Sequence, residues 1–173
     1  HRDSSLALGR LKLAMAFLLT TRGIPEIYYG TEIILPGDDA KGHGDIRRDF
    51  PGGWEGDLKS AFTTDGRTNR QNEIFNYIST ILNWRKTASA VHSGKLTHFI
   101  PENEVYVYFR FDDKQTVMVI LNNGYQPKML ETARFSEMMK GKNSAVDIIS
   151  GKVFDNLEKI QLSPRSALIL ELR

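Results

Sequence analysis

The sequence predicts an α+β chain, with a helix–strand–long loop–helix half followed by an antiparallel β-sandwich. Three observations carry this prediction. Apolar residues recur at helical spacing over 4–22 and again over about 69–88. Between them lies a short β-branched and aromatic segment, Ile24-Pro25-Glu26-Ile27-Tyr28-Tyr29-Gly30. From residue 95 onward the period shifts to two, and turn residues separate the runs.

The first helix takes its apolar face from Leu8, Leu11, Met15, Leu18 and Leu19. Asp3 or Ser4 is its expected N-cap, Gly23 its C′ residue, and Pro25 follows closely. The segment 24–30 then reads as a buried strand, which makes an α/β unit. Tyr28 and Tyr29 are expected on opposite faces of it as packing residues, because strand side chains alternate.

Residues 31–67 hold seven glycines (37, 42, 44, 52, 53, 56 and 66) and many charges. A connection this long in a compact domain is usually functional or disordered. Its place after a strand favours function, since barrel active-site loops sit at strand carboxyl ends. The second helix opens with Thr68 and Gln71 at capping-box spacing. Its expected stripe is Ile74, Phe75, Ile78, Ile81 and Leu82.

Val105, Val107, Phe109 and Phe111 alternate with Tyr106, Tyr108 and Arg110. Other strand candidates are 95–100, 116–122, 145–149, 157–162 and 166–172, with one short helical segment at Phe135–Met139. Asn122-Asn123-Gly124 and Ser150-Gly151 supply turns. An aromatic-rich face such as Tyr106, Tyr108 and Arg110 binds glycan in some proteins, but more often packs against the neighbouring domain.

The chain has 173 residues, one to one-and-a-half domains by length. It is 40% hydrophobic and 25% charged, values of an ordinary globular domain that exclude disorder and low complexity. With no cysteine it has no disulfide, no Cys-ligated metal and no thiol nucleophile, while its compartment stays open. Residues 1–90 carry 12 Lys/Arg against 11 Asp/Glu, and residues 91–173 carry 11 against 10. So even a spread argues against nucleic acid or an anionic membrane as partner. The longest apolar run, Leu13–Leu19, is far short of the roughly 20 residues of a membrane span. The opening His1-Arg2-Asp3 lacks a Met and a signal-like stretch, so the sequence is expected to be a processed product or a piece of something larger. Residues 1–90 point to the latter. A lone parallel strand cannot cover its own faces and edges, so they read as part of a larger α/β domain.

Gly23-Ile24-Pro25-Glu26-Ile27-Tyr28-Tyr29-Gly30-Thr31-Glu32 resembles the eighth barrel strand of the α-amylase family of glycoside hydrolases, G-x-P-x-x-Y-Y-G-x-E. The resemblance is closer to the neopullulanase and cyclomaltodextrinase branch, whose loop after strand eight is similar to Gly44-Asp45-Ile46-Arg47-Arg48-Asp49-Phe50-Pro51-Gly52-Gly53-Trp54. Residues 12–19 resemble barrel helix seven, 69–88 helix eight, and 94–173 the C-terminal β-sandwich. The fold this implies is a remnant of a TIM barrel over 1–91, followed by an all-β sandwich domain over 92–173.

Family members cleave α-1,4 and often α-1,6 glucan links with retention. They use an Asp nucleophile, a Glu acid and a further Asp, all upstream of helix seven, and the Asn-His-Asp signature after strand seven has no match here. The resemblance therefore implies an enzyme as parent, no catalytic residue in this chain and an inactive chain on its own. The residues agree. A retaining pair of carboxyls needs a separation of about 5–5.5 Å on a rigid frame, whereas the clustered carboxylates here, Asp38, Asp39, Asp45, Asp49, Glu55 and Asp57, lie in the Gly-rich loop.

The resemblance implies Asp45 and Arg47 as the leading substrate-binding candidates, because in the family an Asp and an Arg of this loop hydrogen-bond a glucose ring remote from the cleaved bond; Arg48 is a substitute for Arg47, since the spacing departs from the commonest family form. A carboxylate accepts from vicinal hydroxyls, and a guanidinium donates two bonds in a fixed fork. The alternative is a solvated loop with a local Asp–Arg pair. Trp54 either stacks on a sugar face or anchors the loop, and the anchor is favoured. Glu32 is expected to orient the loop or cap a backbone group rather than to act in catalysis. His43, His92 and His98 lack ligand spacing, so neither a metal nor a cofactor is expected.

The expected partners are an α-glucan oligosaccharide in the intact parent, the upstream barrel, and a second copy of the chain through orphan helical stripes. The resemblance implies a bacterial periplasmic or cytoplasmic location. The competing reading is a stand-alone carbohydrate-binding or structural module.

Overall fold

The computed structural model describes residues 4–173. Two compact units emerge, one made of residues up to Ile24 together with Thr80–Arg173, the other of Pro25–Ser79.

The first unit is built on a six-stranded antiparallel sheet. Its strands are β1 (Lys95–His98), β2 (Val105–Phe111), β3 (Thr116–Asn122), β5 (Ala145–Asp147), β6 (Val153–Phe154) and β8 (Ser166–Leu172). The order is β1-β2-β3-β8-β5-β6, and a separate hairpin pairs β4 (Lys128–Glu131) with β7 (Lys159–Leu162). This is the expected sandwich.

One face of the large sheet presents Val107, Phe109, Met118, Ile120, Leu170 and Leu172 to Phe135, Leu157, Ile160 and Leu162. Phe99, Phe109 and Phe135 meet at tilted or edge-on angles, the geometry aromatic quadrupoles prefer. The opposite face carries Tyr108, Arg110, Val117, Val119 and Ile169, all buried, with Tyr108 opposite Val119 and Val119 opposite Ile169.

Helix α1 (Ser4–Thr20) covers that second face. The Phe17 ring meets Tyr108 edge-on at 6.0 Å and Tyr106 at 6.4 Å, and the Thr20 hydroxyl bonds the Tyr108 phenol. The Tyr106–Tyr108–Arg110 face thus packs on a helix of its own unit. Met15 and Leu19 are buried as the periodicity predicts, and Leu13 and Ala16 join them. The N-cap candidate Asp3 lies outside the described residues, and Ser4 falls inside the helix.

Arg110 ties these layers together. Its guanidinium donates to the carbonyls of Thr20 (3.1 Å) and Thr21 (2.7 Å) at the end of α1, and to those of Gly94 (3.1 Å) and Lys95 (3.3 Å). Arg85 reaches the same helix end, donating to the Leu19 carbonyl at 2.6 Å. Cations suit a helix C-terminus because its unpaired carbonyls carry partial negative charge. Burial, with Arg85 and Arg22 nearby, holds the Arg110 pKa below its ordinary value.

Helix α2 (Asn69–Arg85) starts with the predicted capping box. The Thr68 amide donates to Gln71 Oε1 (2.8 Å), and the Gln71 amide donates to Thr68 Oγ1 (3.3 Å). It ends three residues before the expected 88 in a series of turns, and a separate short helix α3 (Ser89–His92) follows. Gly94 then brings the chain close to its neighbours, since a Cβ there would lie 2.6 Å from the Phe111 carbonyl oxygen. The short segment expected near 135–139 is a 3₁₀ turn (Ala133–Phe135) running into helix α4 (Ser136–Met139).

The segment 24–30 departs from the expectation. It pairs with no strand, and Ile24 is 98% exposed. Tyr28 and Tyr29 do not alternate between two layers. Both are exposed, their rings 4.6 Å apart. The physical reason is the absence of a neighbouring parallel strand among the described residues, and the same lack means that no closed barrel is present. After it come three 3₁₀ turns, Thr31–Ile33, Asp39–Lys41 and Asp45–Arg47.

Candidate functional site

The candidate site is the Gly-rich loop, and it is more ordered than its composition suggests. Gly37 passes so close to the Asp45–Ile46 backbone that a Cβ would sit 2.7 Å from Ile46 Cα. This approach lets the Asp38 amide donate to Asp45 Oδ2 at 2.7 Å. Asp45 Oδ1 accepts from the Arg48 guanidinium, whose Nε also donates to the Asp45 carbonyl at 3.0 Å. Asp38 in turn takes the Ala40 amide at 3.1 Å and lies 3.9 Å from Lys41.

Asp45 is consequently fixed from two sides, and its side chain is only 19% exposed. The Arg48 bond, then the Asp38 amide, hold its carboxyl below the usual range. It is a carboxylate, and each of its oxygens keeps a lone pair beyond the bond it already accepts. Arg47, the other leading candidate, does not pair with it. Arg48 does, as the local Asp–Arg reading anticipated. Among the described residues the Arg47 guanidinium has no hydrogen-bond partner, while its backbone carbonyl, with that of Arg48, sits 3.2 and 3.1 Å from the Tyr29 hydroxyl. That phenol pins the loop backbone. The Tyr28 hydroxyl is the first cause that raises the Tyr29 pKa above its ordinary value.

A second turn displays Trp54. The Asp57 carboxylate accepts from the amides of Gly52 (2.7 Å) and Trp54 (3.2 Å). Trp54 itself is 67% exposed. Behind the turn Phe50 and Phe62 rings lie 4.6 Å apart. With Tyr29, Glu32, Ala61 and Phe75 they line a cleft of about 380 Å³. Arg67 is buried here, its guanidinium 3.9 Å from the Phe75 centroid and bonded to the Ala61 carbonyl (2.8 Å) and Asn72 Oδ1 (2.8 Å).

The structure therefore brings Asp45 and Arg48 together and leaves Arg47 and Trp54 outward. Sequence reasoning did not single out Asp38, Asp57, Tyr29 or Arg67 as organisers of this loop. Asp38 and Asp57 carried a usable signal, since aspartates at turns commonly bond backbone amides two or more residues away. Among the described residues no three His, Asp or Glu side chains gather at metal-binding distance, and no helix is long and apolar enough to cross a membrane.

Comparison with known proteins agrees with this architecture. Residues 96–171 match the family described as the cyclo-malto-dextrinase C-terminal domain. The cyclomaltodextrin glucanotransferase of Niallia circulans is 31% identical over 155 residues, which is 90% of this chain and 19% of that protein. The cyclomaltodextrinase of Thermoanaerobacter pseudethanolicus is 28% identical over 165 residues, 95% of this chain and 25% of its own length. The chain thus spans about a fifth to a quarter of these relatives.

Two solved α-amylases share the fold. The Anoxybacillus enzyme superposes with a TM-score of 0.72 at 22% identity over 95% of this chain and 32% of its own. The Geobacillus thermoleovorans enzyme, complexed with acarbose, gives 0.72 at 22% over 96% and 33%. With the 24–32 motif, the loop after it and a sheet module that matches over nearly all its strands, the chain belongs to the α-amylase family of glycoside hydrolases, residues 96–171 forming its cyclo-malto-dextrinase C-terminal domain.

Proposed function

We propose that the chain is the C-terminal segment of a retaining α-glucan hydrolase acting on starch-derived oligosaccharides, cyclodextrins or pullulan. In this reading it supplies one wall of a substrate subsite and a supporting β-domain, and the catalytic carboxylates lie elsewhere in the parent. The relatives' names, cyclomaltodextrinase and cyclomaltodextrin glucanotransferase, support the substrate class.

The observation that carries the subsite role is Asp45, a carboxylate held by Arg48 and the Asp38 amide with the unengaged guanidinium of Arg47 two residues on. Glucose rings offer vicinal hydroxyls that donate to a fixed carboxylate and accept from a guanidinium. Trp54, exposed on its own turn, offers a stacking surface to a neighbouring ring. The rest of the barrel is the partner that covers the exposed Tyr28, Leu58 and Phe62, and self-association is the outcome when the chain is alone. The alternative of a stand-alone glycan-binding module loses its main motive, because Tyr108 is fully buried beside α1.

In the parent enzyme, Asp45→Ala is expected to raise KM for maltooligosaccharides about tenfold and change kcat less than about twofold, the pattern of lost uniform binding. A drop in kcat at unchanged KM overturns the subsite role. The purified 173-residue chain is expected to release no reducing sugar from cyclodextrin or soluble starch, and steady hydrolysis overturns the assignment of the chemistry to other residues.

A further inference from the structure

The turn that joins β3 to β4 contains Asn123-Gly124, the chain's one Asn-Gly step. This pair is chemically labile in flexible peptides. The backbone nitrogen of the glycine attacks the asparagine side-chain carbon, ammonia leaves, and a five-membered succinimide forms. Water then opens the ring to aspartate or isoaspartate. Attack requires a free glycine N–H and an asparagine side chain able to swing over it.

Both requirements are blocked here. The Gly124 N–H donates to Asn122 Oδ1 at 3.0 Å. Asn122 is fully buried, and its amide nitrogen donates to the carbonyls of Ser163 (2.8 Å) and Gln126 (3.2 Å), which fixes its oxygen toward Gly124. The Asn123 side-chain oxygen accepts from Arg165 Nη1. Backbone bonds close the turn, with the Asn123 amide on the Glu104 carbonyl (2.9 Å) and the Arg165 amide on the Gly124 carbonyl (3.0 Å).

Removing the glycine is not a simple remedy. A Cβ at Gly124 would lie 2.8 Å from Glu104 Oε2 and 2.9 Å from Lys128 Cε. The surroundings also suit the product. Arg165 and Arg10 both approach the Tyr125 phenol, with the Arg165 guanidinium carbon 4.1 Å over the ring and Arg10 Nη2 3.3 Å from the hydroxyl. A carboxylate at 123 would meet that positive charge.

We propose that Asn123 is a spontaneous deamidation site gated by the fold: closed while Asn122 and Arg165 hold the turn, open when the turn releases. Modification at this position then records how often the β3–β4 turn has opened.

The test is peptide mapping by mass spectrometry of the chain incubated at mildly alkaline pH, folded or in concentrated urea, following amide-to-acid conversion and isoaspartate at 123. The folded chain is expected to convert at least about tenfold more slowly than the unfolded one, because attack waits for local opening. Arg165→Gln, with an unchanged circular dichroism spectrum, is expected to raise the folded-state rate severalfold without altering the rate in urea. Equal rates in the folded and unfolded chain overturn the proposal, as does an Arg165→Gln rate equal to that of the unaltered chain. Because the readout involves no sugar, its failure leaves the glucan assignment standing.

Discussion

Val105–Phe111 and Ile24–Gly30 have similar composition, both short, β-branched and aromatic. Their fates are opposite. The first pairs with β1 on one side and β3 on the other, and Tyr108 and Phe109 are wholly buried on opposite faces. The second makes no ladder, and Ile24, Tyr28 and Tyr29 are exposed. Strand propensity measures fit to a half-buried pleated surface, and that surface has to be provided by neighbours. The sheet unit provides it from its own residues, and Pro25–Ser79 does not.

The largest test of this contrast is a matched pair of truncations. Phe109→Ala is expected to lower stability by about 3–5 kcal/mol, the usual cost of emptying an aromatic site in a packed core. Ile24→Ala, at a side chain 98% exposed, is expected to change it by less than about 0.5 kcal/mol, as for surface positions. Urea denaturation followed by circular dichroism reads both, and similar values would erase the distinction.

Next in size is Arg110→Leu, which leaves the carbonyls of Thr20, Thr21, Gly94 and Lys95 without this donor. A loss of about 2–3 kcal/mol is expected. Hydrogen exchange should also show faster exchange in the last turn of α1.

Two glycines sharpen the contrast further. Gly94→Ala presses a methyl into backbone on both sides, including the Phe111 carbonyl, and is expected to cost about 1–3 kcal/mol of the main transition. Gly66→Ala is more crowded still, driving a methyl into the Ser60 carbonyl, whose carbon would lie 2.6 Å away. Its effect is expected to stay local, as lost exchange protection over 60–67 with the main transition unmoved. A large shift of that transition would mean that the loop region shares the sheet's cooperativity.

The smallest effect is electrostatic. The Asp45 pKa lies below that of the unfolded chain because of Arg48 and the Asp38 amide. This ion pair therefore contributes above the ordinary aspartate range and is lost as pH falls through the folded-state value. A carbon-detected NMR titration should find Asp45 low in the native chain and shifted upward in Arg48→Gln. An unchanged titration would remove the pair from the site's electrostatics.

Much of the sheet unit was legible in the sequence because its signals are local. Period-two runs place Val105–Phe111, 116–122 and 166–172 at their observed bounds, and Thr68 with Gln71 marks the start of α2. Strands β4 and β6 escaped notice. The first, Lys-Met-Leu-Glu, has weak strand propensity, and the second is two residues long. The loop's composition identified the region, and the family resemblance pointed to Asp45 within it. The choice of Arg48 over Arg47 as its partner depended on a 3₁₀ turn that no periodicity announces. Arg110 was legible as a packing position, but its attachment to a helix end 89 to 90 residues upstream was not.

That attachment bears on how the β-domain can be moved between proteins. A graft beginning at residue 92 would take along a cationic side chain shaped to hold the tail of a helix left behind, and would lay bare Tyr108, Val119 and Ile169. Anyone building chimaeras from this fold should transplant Ser4–Thr20 with the sheet, because the guanidinium makes the two a single inheritable piece.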